Sequence, residues 1–440
     1  MKTLSILIGK IMVLLGRLLN RGSVLPGYYA LKIDKHLLEK ITLPKNIIAV
    51  TGSNGKGSTS SLIVHILRSN GYKVTYNDKG SNLTNGITSA ILEDISLSGK
   101  LKSDFLVMEV DERFTKHIFK TIKPNFVVIT NIGRDQPPRQ GHIDIVANDI
   151  KSALNKNMTL ILNGDDPYLR QFVGKNIYYG IDKNRYSYTQ NMFTSLDMNY
   201  CPNCHNKLEY NYYHFENDGD YYCSKCNFKR PNIDYLVTNI DYKNNTITVN
   251  NKYIIDMGYN ILFSIYNTMA AFSLANILKL NIEKTIQAIK DMKKDTKIYH
   301  TYEYKNRLVT VLNNKNENNS TFNQSLLYID RFKDQKVIVI GWKEISRRYE
   351  YDDLSWLYDI DFEILNKKNL ECVVCVGIHA YDIATRIKLA NISEDKIITY
   401  DTLEKATNYI KKKTKGNIYG ILNFDYVKPF NELMEGQNDN

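Results

Sequence analysis

A glycine-rich segment in the first third of the chain has the composition of a phosphate-binding loop. It follows the apolar run 47–50, precedes a helical pattern over 60–71, and reads Thr51-Gly52-Ser53-Asn54-Gly55-Lys56-Gly57-Ser58-Thr59. Glycines allow backbone N–H groups to approach an anion, and a lysine can reach terminal phosphates. Val50 replaces the first glycine of the general pattern, and Gly57 replaces the usual hydroxyl residue. The segment therefore predicts ATP binding by residues 52–59, with the hydroxyl of Ser58 or Thr59 as a ligand of Mg²⁺. Because Gly57 stands where the hydroxyl residue usually follows the lysine, we favour Ser58.

Four of the six cysteines have the spacing of a zinc ribbon. Two C-x-x-C pairs are separated by eighteen residues: Cys201, Cys204, Cys223 and Cys226. Four thiolates complete a tetrahedral structural site for Zn²⁺, and reduced thiolates indicate a cytosolic chain. Two redox or disulfide pairs are the alternative. The third pair, Cys372 and Cys375, lies in an apolar run where strand alternation points the two sulfurs apart, so we expect buried core.

The composition excludes whole-chain disorder and gives limited information about partners. The 440 residues are 43% hydrophobic and 24% charged, as in globular proteins, and the formal net charge is +11. That excess fits an anionic ligand or an anionic membrane surface. Because it is modest and dispersed, a nucleic-acid-binding ribbon is disfavoured, and we expect no nucleic acid partner.

The first 22 residues predict an amphipathic helix. Apolar residues recur at helical spacing: Leu4, Leu7, Ile8, Ile11, Leu14, Leu15 and Leu18. Lys10 and Arg17 interrupt the run, so it is too short to span a membrane. We favour a helix packed on its own domain, with contact to a membrane or a partner as the alternative. A turn is expected at 24–27.

Short apolar runs alternate with helical stretches, which predicts an α/β fold with a parallel sheet covered by helices on both faces. The runs of the first sheet are 47–50, 73–77, 105–110, 126–130 and 159–163. Those of a second α/β unit are 308–312, 336–341, 372–378, 397–400 and 418–423. We expect an N-terminal helical segment (1–45), a central domain (46–292) with a zinc-ribbon insertion (about 195–232), and a C-terminal domain (293–440).

The phosphate loop and the segments after it resemble the Mur ligase family and, in the glycine after the lysine, folylpolyglutamate synthases. The matching segments are 108–112 (MEVDE), 129–135 (ITNIGRD), 163–166 (NGDD) and 266–271 (YNTMAA). The resemblance implies ATP-dependent phosphorylation of a carboxylate, followed by attack of an amine. It also implies that Glu109 binds Mg²⁺ and that Asn267 contacts adenine.

The zinc ribbon, the segment around Leu25-Pro26-Gly27 and the segment 353–363 (DLSWLYDIDFE) resemble the MurT family in particular. That resemblance implies amidation of the D-glutamate α-carboxylate of lipid II, at the membrane surface, with ammonia from a GatD-type glutaminase subunit. It further implies that Asp353 completes the Cys-His triad of the glutaminase. Asp352, Asp359 and Asp361 are rivals for this role, and a solvated helix N-terminus is the structural alternative.

Two other functions remain open from the sequence. A folate-type polyglutamate ligase would use a free amino acid and would have no need of the 353–363 segment. A nucleotide-binding subunit without turnover is favoured by a weakened C-terminal motif, which keeps Asn316 and Asn323 but lacks the proline. Loss of turnover on replacing Lys56 would separate the two enzymes from the non-catalytic subunit.

Overall fold

The computed structural model describes residues 1–19, 24–78, 81–133, 142–293, 299–314, 319–343 and 353–435. The chain forms two compact units. The first comprises Met1–Gly133, Ile143–Thr189 and Met198–Met292, and the second comprises Arg134–His142, Gln190–Asp197 and Lys293–Asn440. Within the described ranges, every helix is too short or too polar to cross a bilayer.

The first unit is built on a nine-stranded sheet and also has a separate two-stranded hairpin. Its strands are β1 (Asn46–Thr51), β2 (Val74–Tyr76), β3 (Phe105–Glu109), β4 (Phe126–Ile129), β5 (Thr159–Asn163), β6 (Lys175–Ile181), β7 (Glu209–Phe215), β8 (Asp218–Tyr222), β9 (Tyr235–Asp241), β10 (Thr246–Val249) and β11 (Tyr253–Asp256), of which β7 and β8 form a separate hairpin. Its helices are α1 (Lys2–Leu18), α2 (Leu25–Ile33), α3 (Leu37–Lys40), α4 (Lys56–Ser69), α5 (Thr84–Asp94), α6 (Thr115–Thr121), α7 (Ile143–Ala153), α8 (Leu262–Ile277) and α9 (Ile282–Asp291).

The strand order is β11-β10-β9-β6-β5-β4-β1-β3-β2. All pairs from β2 through β3, β1, β4, β5 and β6 to β9 are parallel. Strands β10 and β11 add an antiparallel edge next to β9. The chain runs from β1 outward to β2, returns to β3 and then crosses to β4 on the other side. This topological switch opens a crevice beyond the carboxyl end of β1, where α/β sheets bind ligands.

The central strands are buried on both faces, as parallel strands covered by helices must be. Along β1, Ile47 and Ala49 join the apolar cluster that contains α1, α5 and α7 residues, and Ile48 and Val50 join the cluster of α4 and α8. The α/β fold with helices on both faces is thereby confirmed.

One expectation for the N-terminal region is wrong. A turn was expected at 24–27, but α2 begins at Leu25, because Pro26 is compatible with the first helical turn. Gly27 is needed there, since a Cβ atom would lie 1.9 Å from the Asn85 carbonyl oxygen of α5. Helix α1 packs on its own unit, as favoured from the sequence, through Ser5, Ile6, Gly9 and Val13, and its leucine-rich face is exposed.

The second unit has a six-stranded sheet of order β12-β13-β17-β14-β15-β16, parallel apart from the β12–β13 hairpin. Its strands are β12 (Tyr299–Tyr304), β13 (Arg307–Asn313), β14 (Lys336–Gly341), β15 (Leu370–Val376), β16 (Ile397–Tyr400) and β17 (Asn417–Leu422). Its helices are α10 (Asn319–Asp330), α11 (Ala380–Leu389), α12 (Leu403–Lys413) and α13 (Phe424–Glu435), with short 3₁₀ helices at Ser355–Asp359 and Phe362–Leu365. Cys372 and Cys375 are buried on β15, as predicted.

Candidate functional site

The predicted phosphate loop connects β1 to α4 at the switch point of the first sheet. Its backbone needs glycine at two positions, because φ is +126° at Gly52 and +80° at Gly55. A Cβ atom at Gly52 would lie 2.4 Å from the Thr130 hydroxyl oxygen, so the loop and the end of β4 are in close contact. Helix α4 begins at Lys56, and its first N–H groups, which lack intrahelical acceptors, are available to an anion.

The segment after β4 holds this loop in place. Thr130 Oγ1 donates to the Asn54 carbonyl oxygen (2.6 Å), and Asn131 Oδ1 accepts from the Asn54 N–H (2.9 Å). The Gly133 N–H donates to Ser53 Oγ (2.8 Å). The T-N-I-G part of the 129–135 segment therefore positions the loop backbone, while Arg134 and Asp135 lie outside the described residues.

Asn267 reaches the same loop from α8. Thr59 Oγ1 donates to its Oδ1 at 3.2 Å, and a Cβ atom at Gly55 would lie 2.5 Å from that oxygen. Asn267 is 208 residues from Thr59 in sequence and is brought there by the packing of α8 on α4. The structure thus unites the predicted loop residues with the predicted adenine-contacting residue.

Glu109, the predicted Mg²⁺ ligand, lies at the carboxyl end of β3 beside the first turn of α4. A Cβ atom at Gly57 would lie 3.3 Å from Glu109 Oε2, so the missing side chain at position 57 leaves space next to the carboxylate. Asn77 fixes the backbone of Glu109, accepting from its N–H and donating to its carbonyl oxygen, both at 2.9 Å. Ser58 is partly exposed on the same turn.

Sequence analysis overlooked Glu112 as a site residue. Its Oε2 lies 2.8 Å from the Lys56 ammonium nitrogen, and Lys56 also donates to the carbonyl oxygens of Gly52 (2.5 Å) and Ser53 (3.2 Å). Burial raises the pKa of the Glu112 carboxyl, while the positive charge of Lys56 opposes that rise. The acidic run 108–112 was the available signal, but it does not distinguish Glu109 from Glu112.

The turn at 163–166, which matches the Mur ligase pattern, has a structural role away from the loop. Asp165 is fully buried, its Oδ1 accepts from Arg230 Nε at 2.8 Å, and its Oδ2 accepts from the Tyr266 hydroxyl at 3.0 Å. Arg230 follows the second cysteine pair and Tyr266 lies on α8. Asp165 therefore ties the cysteine-containing segment to the central sheet.

The four predicted zinc-binding cysteines form one cluster. All four sulfur atoms lie within 4.8 Å of one another, with Cys201 and Cys226 at 3.5 Å and Cys204 and Cys223 at 3.4 Å. A tetrahedral site with metal–sulfur distances of about 2.3 Å requires sulfurs roughly 3.8 Å apart. The donor set and its geometry therefore fit Zn²⁺.

The two cysteine pairs form equivalent turns. The Cys201 N–H donates to the Asn206 carbonyl oxygen (2.7 Å), and the Cys223 N–H donates to the Phe228 carbonyl oxygen (2.8 Å). Hydrogen bonds from Asn206 lower the pKa of Cys204 to about 6, which favours the thiolate that binds metal.

Asp353 lies in the second unit and is partly exposed. Its Oδ1 accepts from the Ser355 N–H at 2.9 Å, which begins a 3₁₀ helix. Trp356 anchors that helix in the core, with ring centroids 5.3 Å from both Phe322 and Trp342. The chain's two tryptophans thus share one cluster, and they hold the segment that presents Asp353.

The rival carboxylates differ in their surroundings. Asp361 is buried, accepts hydrogen bonds from the backbone and hydroxyl of Thr194, and donates its N–H to Asn323 Oδ1 at 3.0 Å. Its carboxylate and N–H are therefore used in hydrogen bonds within the second unit. Asp359 is partly exposed, whereas Asp352 and Asn316 lie outside the described residues.

The residues around the loop fit a nucleoside triphosphate with Mg²⁺. Two glycines that must remain without Cβ atoms, a lysine and a helix N-terminus supply the phosphate contacts. The Glu109 carboxylate and the Ser58 hydroxyl supply oxygen donors of the kind that Mg²⁺ prefers.

Comparisons with known proteins agree with this architecture. The sequence model of the Mur ligase middle domain matches residues 50–275, and that of the MurT ligase C-terminal domain matches residues 316–426. The lipid II isoglutaminyl synthase (glutamine-hydrolyzing) subunit MurT of Staphylococcus aureus strain COL is 32% identical over 94% of this chain and 93% of its own. The subunit of the same description from Streptococcus pneumoniae strain R6 is 28% identical over 98% of this chain and 96% of its own.

Solved structures show the same fold. A pseudomurein peptide ligase type C from Methanothermus fervidus superposes with a TM-score of 0.70 at 21% identity, covering 91% of this chain and 81% of its own. The MurF ligase of Thermotoga maritima, in complex with ADP, has a TM-score of 0.63 at 17% identity, covering 93% and 85%. The chain belongs to the MurT family of Mur ligase-type, ATP-dependent ligases.

Proposed function

We propose that this chain is the ligase subunit of a lipid II isoglutaminyl synthase. In this proposal it uses ATP to activate the α-carboxylate of the D-glutamate in the stem peptide of lipid II, and ammonia converts that residue to D-isoglutamine. The relatives from Staphylococcus aureus and Streptococcus pneumoniae, which carry the name of this synthase, support the assignment along nearly the whole chain.

One observation carries the catalytic part of the proposal. Residues from three distant segments meet at the carboxyl end of β1: Gly55 and Lys56 of the loop, Glu109 of β3 and Asn267 of α8. Phosphoryl transfer depends on positioning and on electrostatic stabilisation, and these residues supply both. A cationic side chain and helix N–H groups face the position of the phosphates, and a carboxylate lies beside it.

Each residue has a distinct part in this site. Lys56 would contact the terminal phosphates, Glu109 and Ser58 would hold Mg²⁺, and Asn267 would contact adenine. Mg²⁺ held by these two residues would neutralise phosphate charge. Glu112 holds Lys56 through the 2.8 Å ion pair, and the contacts of Thr130 and Asn131 fix the loop around the nucleotide.

The proposed amidation has two steps. A carboxylate oxygen of the substrate attacks the γ-phosphorus of ATP, which forms an acyl phosphate and releases ADP. Ammonia then attacks the carbonyl carbon, phosphate leaves with the original oxygen, and the nitrogen loses a proton to give the amide.

The nitrogen would come from a GatD-type glutaminase subunit. In the 353–363 segment, Asp353 is partly exposed just before the anchored 3₁₀ helix and Asp359 is partly exposed at its end, whereas Asp361 is buried. A carboxylate in that setting can orient and stabilise the histidine that activates a nucleophilic cysteine. Because the segment resembles that of the MurT family, we assign the completion of the partner's triad to Asp353, with Asp359 as the rival.

The remaining features fit the same assignment. The four-cysteine cluster would hold a structural Zn²⁺ that stabilises the ribbon. Because lipid II is membrane-bound, the chain would act at the inner face of the cytoplasmic membrane.

Isotope transfer tests the proposed activation step. The α-carboxylate of D-glutamate in lipid II is labelled with ¹⁸O, and the chain is supplied with ATP, Mg²⁺ and ammonium. We expect one ¹⁸O atom in the released inorganic phosphate, and K56A should abolish the transfer. Amidation without ¹⁸O in phosphate would contradict the acyl phosphate route.

A further inference from the structure

Helix α1 exposes its most apolar side. The outward arc of four turns consists of Leu4, Leu7, Ile11, Leu14, Leu15 and Leu18, and its side chains remain 45–74% exposed. Thr3, Lys10 and Arg17 border the arc on one side. A surface helix ordinarily turns polar residues outward, so this arrangement is the reverse of the usual one.

The orientation of α1 is fixed by contacts along its length. Ser5 Oγ donates to the Ala30 carbonyl oxygen (2.6 Å), Lys10 Nζ donates to the Leu92 carbonyl oxygen (3.1 Å), and Arg17 pairs with Glu93 (3.2 Å). A Cβ atom at Gly9 would lie 2.6 Å from Leu92 Cδ1, so α1 and α5 are closely packed there. The helix therefore cannot turn its leucines inward without breaking these contacts.

The neighbouring helix α2 also exposes apolar side chains. Its outward residues are Leu25, Tyr28, Tyr29 and Lys32, with Leu25 50% exposed and the two tyrosines 45% and 41% exposed. Tyrosine and lysine are favoured at the level of lipid headgroups, where the ring or stem is apolar and the polar end remains hydrated. We refer to the six outward α1 residues together with Leu25, Tyr28 and Tyr29 as the apolar face.

The charge of this region is strongly positive. Residues 1–45 contain eight lysine and arginine residues and two carboxylates, a net charge of +6, whereas the whole chain has +11. One tenth of the sequence thus carries more than half of the net charge. Basic residues next to an apolar helix face are the pattern of a helix that lies in the interface of an anionic membrane.

We propose that the apolar face binds the surface of an anionic lipid membrane, with α1 lying parallel to the bilayer plane. A helix of 17 residues is about 26 Å long, less than the roughly 30 Å hydrocarbon core. Its fixed contacts with α2 and α5 also exclude perpendicular insertion. Lipid is favoured over a protein partner because the face consists mainly of leucines in a sequence region with a net positive charge.

The apolar face is joined to the candidate active site through α5, and this step rests on the proposed function. Gly27 of α2 packs against Asn85 in the first turn of α5, and Asn82, just before α5, accepts from the Asp111 N–H at 3.1 Å. Asp111 lies between Glu109 and Glu112. Docking of the apolar face would therefore hold the phosphate-loop end of the sheet near lipid-borne substrate.

Vesicle flotation with the full chain tests the inference. We would compare phosphatidylglycerol-containing vesicles with pure phosphatidylcholine vesicles, using wild type, the double variant L7Q/L14Q, and V173Q/I254Q as a control. The control replaces two apolar side chains of the same unit that are 63% and 66% exposed outside this face. We expect binding to anionic vesicles that L7Q/L14Q weakens at least about tenfold and that the control retains.

The possible outcomes separate this inference from the proposed function. L7Q/L14Q should amidate a water-soluble stem-peptide substrate like wild type but lose activity on vesicle-embedded lipid II. Active wild type that does not float with anionic vesicles would overturn the membrane inference alone, whereas vesicle binding without amidation would overturn the proposed function alone. Conversion of a wild-type dimer to monomer by L7Q/L14Q, or loss of the glutaminase from the complex, would identify a protein interface and also overturn the inference.

Discussion

The ammonium nitrogen of Lys56 lies 2.8 Å from a carboxylate oxygen of Glu112, and the two side chains are only 13% and 7% exposed. The pair joins the phosphate loop to the segment after β3. It places the lysine before any phosphate is present, since the same nitrogen also donates to two loop carbonyl oxygens.

Replacing Glu112 with glutamine should weaken nucleotide binding. The variant keeps the shape of the side chain but removes the charge that holds the Lys56 ammonium group beside the loop. A charge-assisted hydrogen bond is worth about 1.5–3 kcal/mol, so we expect a loss of affinity of at least about tenfold, measured by nucleotide titration. As a control, D401N removes the partner of an exposed Lys405 and should leave nucleotide affinity unchanged. Equal affinities of E112Q and wild type would contradict the importance of the buried pair.

The raised pKa of the Glu112 carboxyl predicts how the stability of wild type compares with that of E112Q at different pH values. Ionising the carboxyl costs free energy in the folded chain, so its stabilising contribution is complete below about pH 4.5 and is lost as pH rises through the raised pKa. With increasing pH, the unfolding free energy of wild type should therefore fall relative to that of E112Q. A rise relative to E112Q would show that the ion pair outweighs burial.

Replacing Gly55 with alanine should impair the nucleotide site beyond its effect on folding. Gly55 has φ +80°, and a Cβ atom there would lie 2.5 Å from Asn267 Oδ1. Gly71 is a matched control, because its φ is +93° and a Cβ atom would meet nothing within 4 Å. Both variants should lose about 1–2 kcal/mol through backbone strain. Only G55A should also weaken ATP binding, by at least about tenfold, and unchanged ATP affinity in G55A would contradict the site.

Removing one thiolate of the cysteine cluster should release metal. We expect wild type to contain one zinc ion per chain, and C204A to lose it together with several degrees of thermal stability. C372A is the control, since that buried thiol lies on β15 outside the cluster and should change stability without changing zinc content. Full zinc occupancy in C204A, measured by elemental analysis, would rule out the ribbon assignment.

Asp353 should matter for glutamine as the nitrogen source and not for ammonium. In a complex with the glutaminase, D353N should lower glutamine-dependent amidation by at least about a hundredfold, because the histidine of the triad loses its orienting carboxylate. Ammonium-dependent amidation should stay within about twofold of wild type, since the ligase site is intact. D359N is the comparison variant. A larger loss of glutamine use in D359N than in D353N would transfer the role to Asp359.

The apolar runs predicted the strands well because buried parallel strands need continuous hydrophobic sequence. The run at 336–341 coincides with β14, and that at 159–163 coincides with β5. The antiparallel edge formed by β10 and β11 was not predicted, since strand direction depends on pairing and not on composition.

Contacts between residues that are distant in the sequence could not be predicted either, because they depend on how the helices and strands pack. The motifs identified Lys56 and Asn267 separately, but only the packing of α8 on α4 brings Asn267 to the loop. Periodicity also identified the leucine-rich arc of α1 without showing which side faces the protein. The contacts of Gly9 and Ser5 decide that orientation, because small residues permit the close approach to α5 and α2.

Mass spectrometry of lipid II tests the central claim most directly. The purified chain would be incubated with lipid II, ATP, Mg²⁺ and ammonium in the absence of any glutaminase, beside K56A as the inactive comparison. We predict conversion of the D-glutamate residue to D-isoglutamine by wild type and none by K56A. Unchanged lipid II with a folded, ATP-binding wild-type chain would contradict the assignment of the amidating site to this chain.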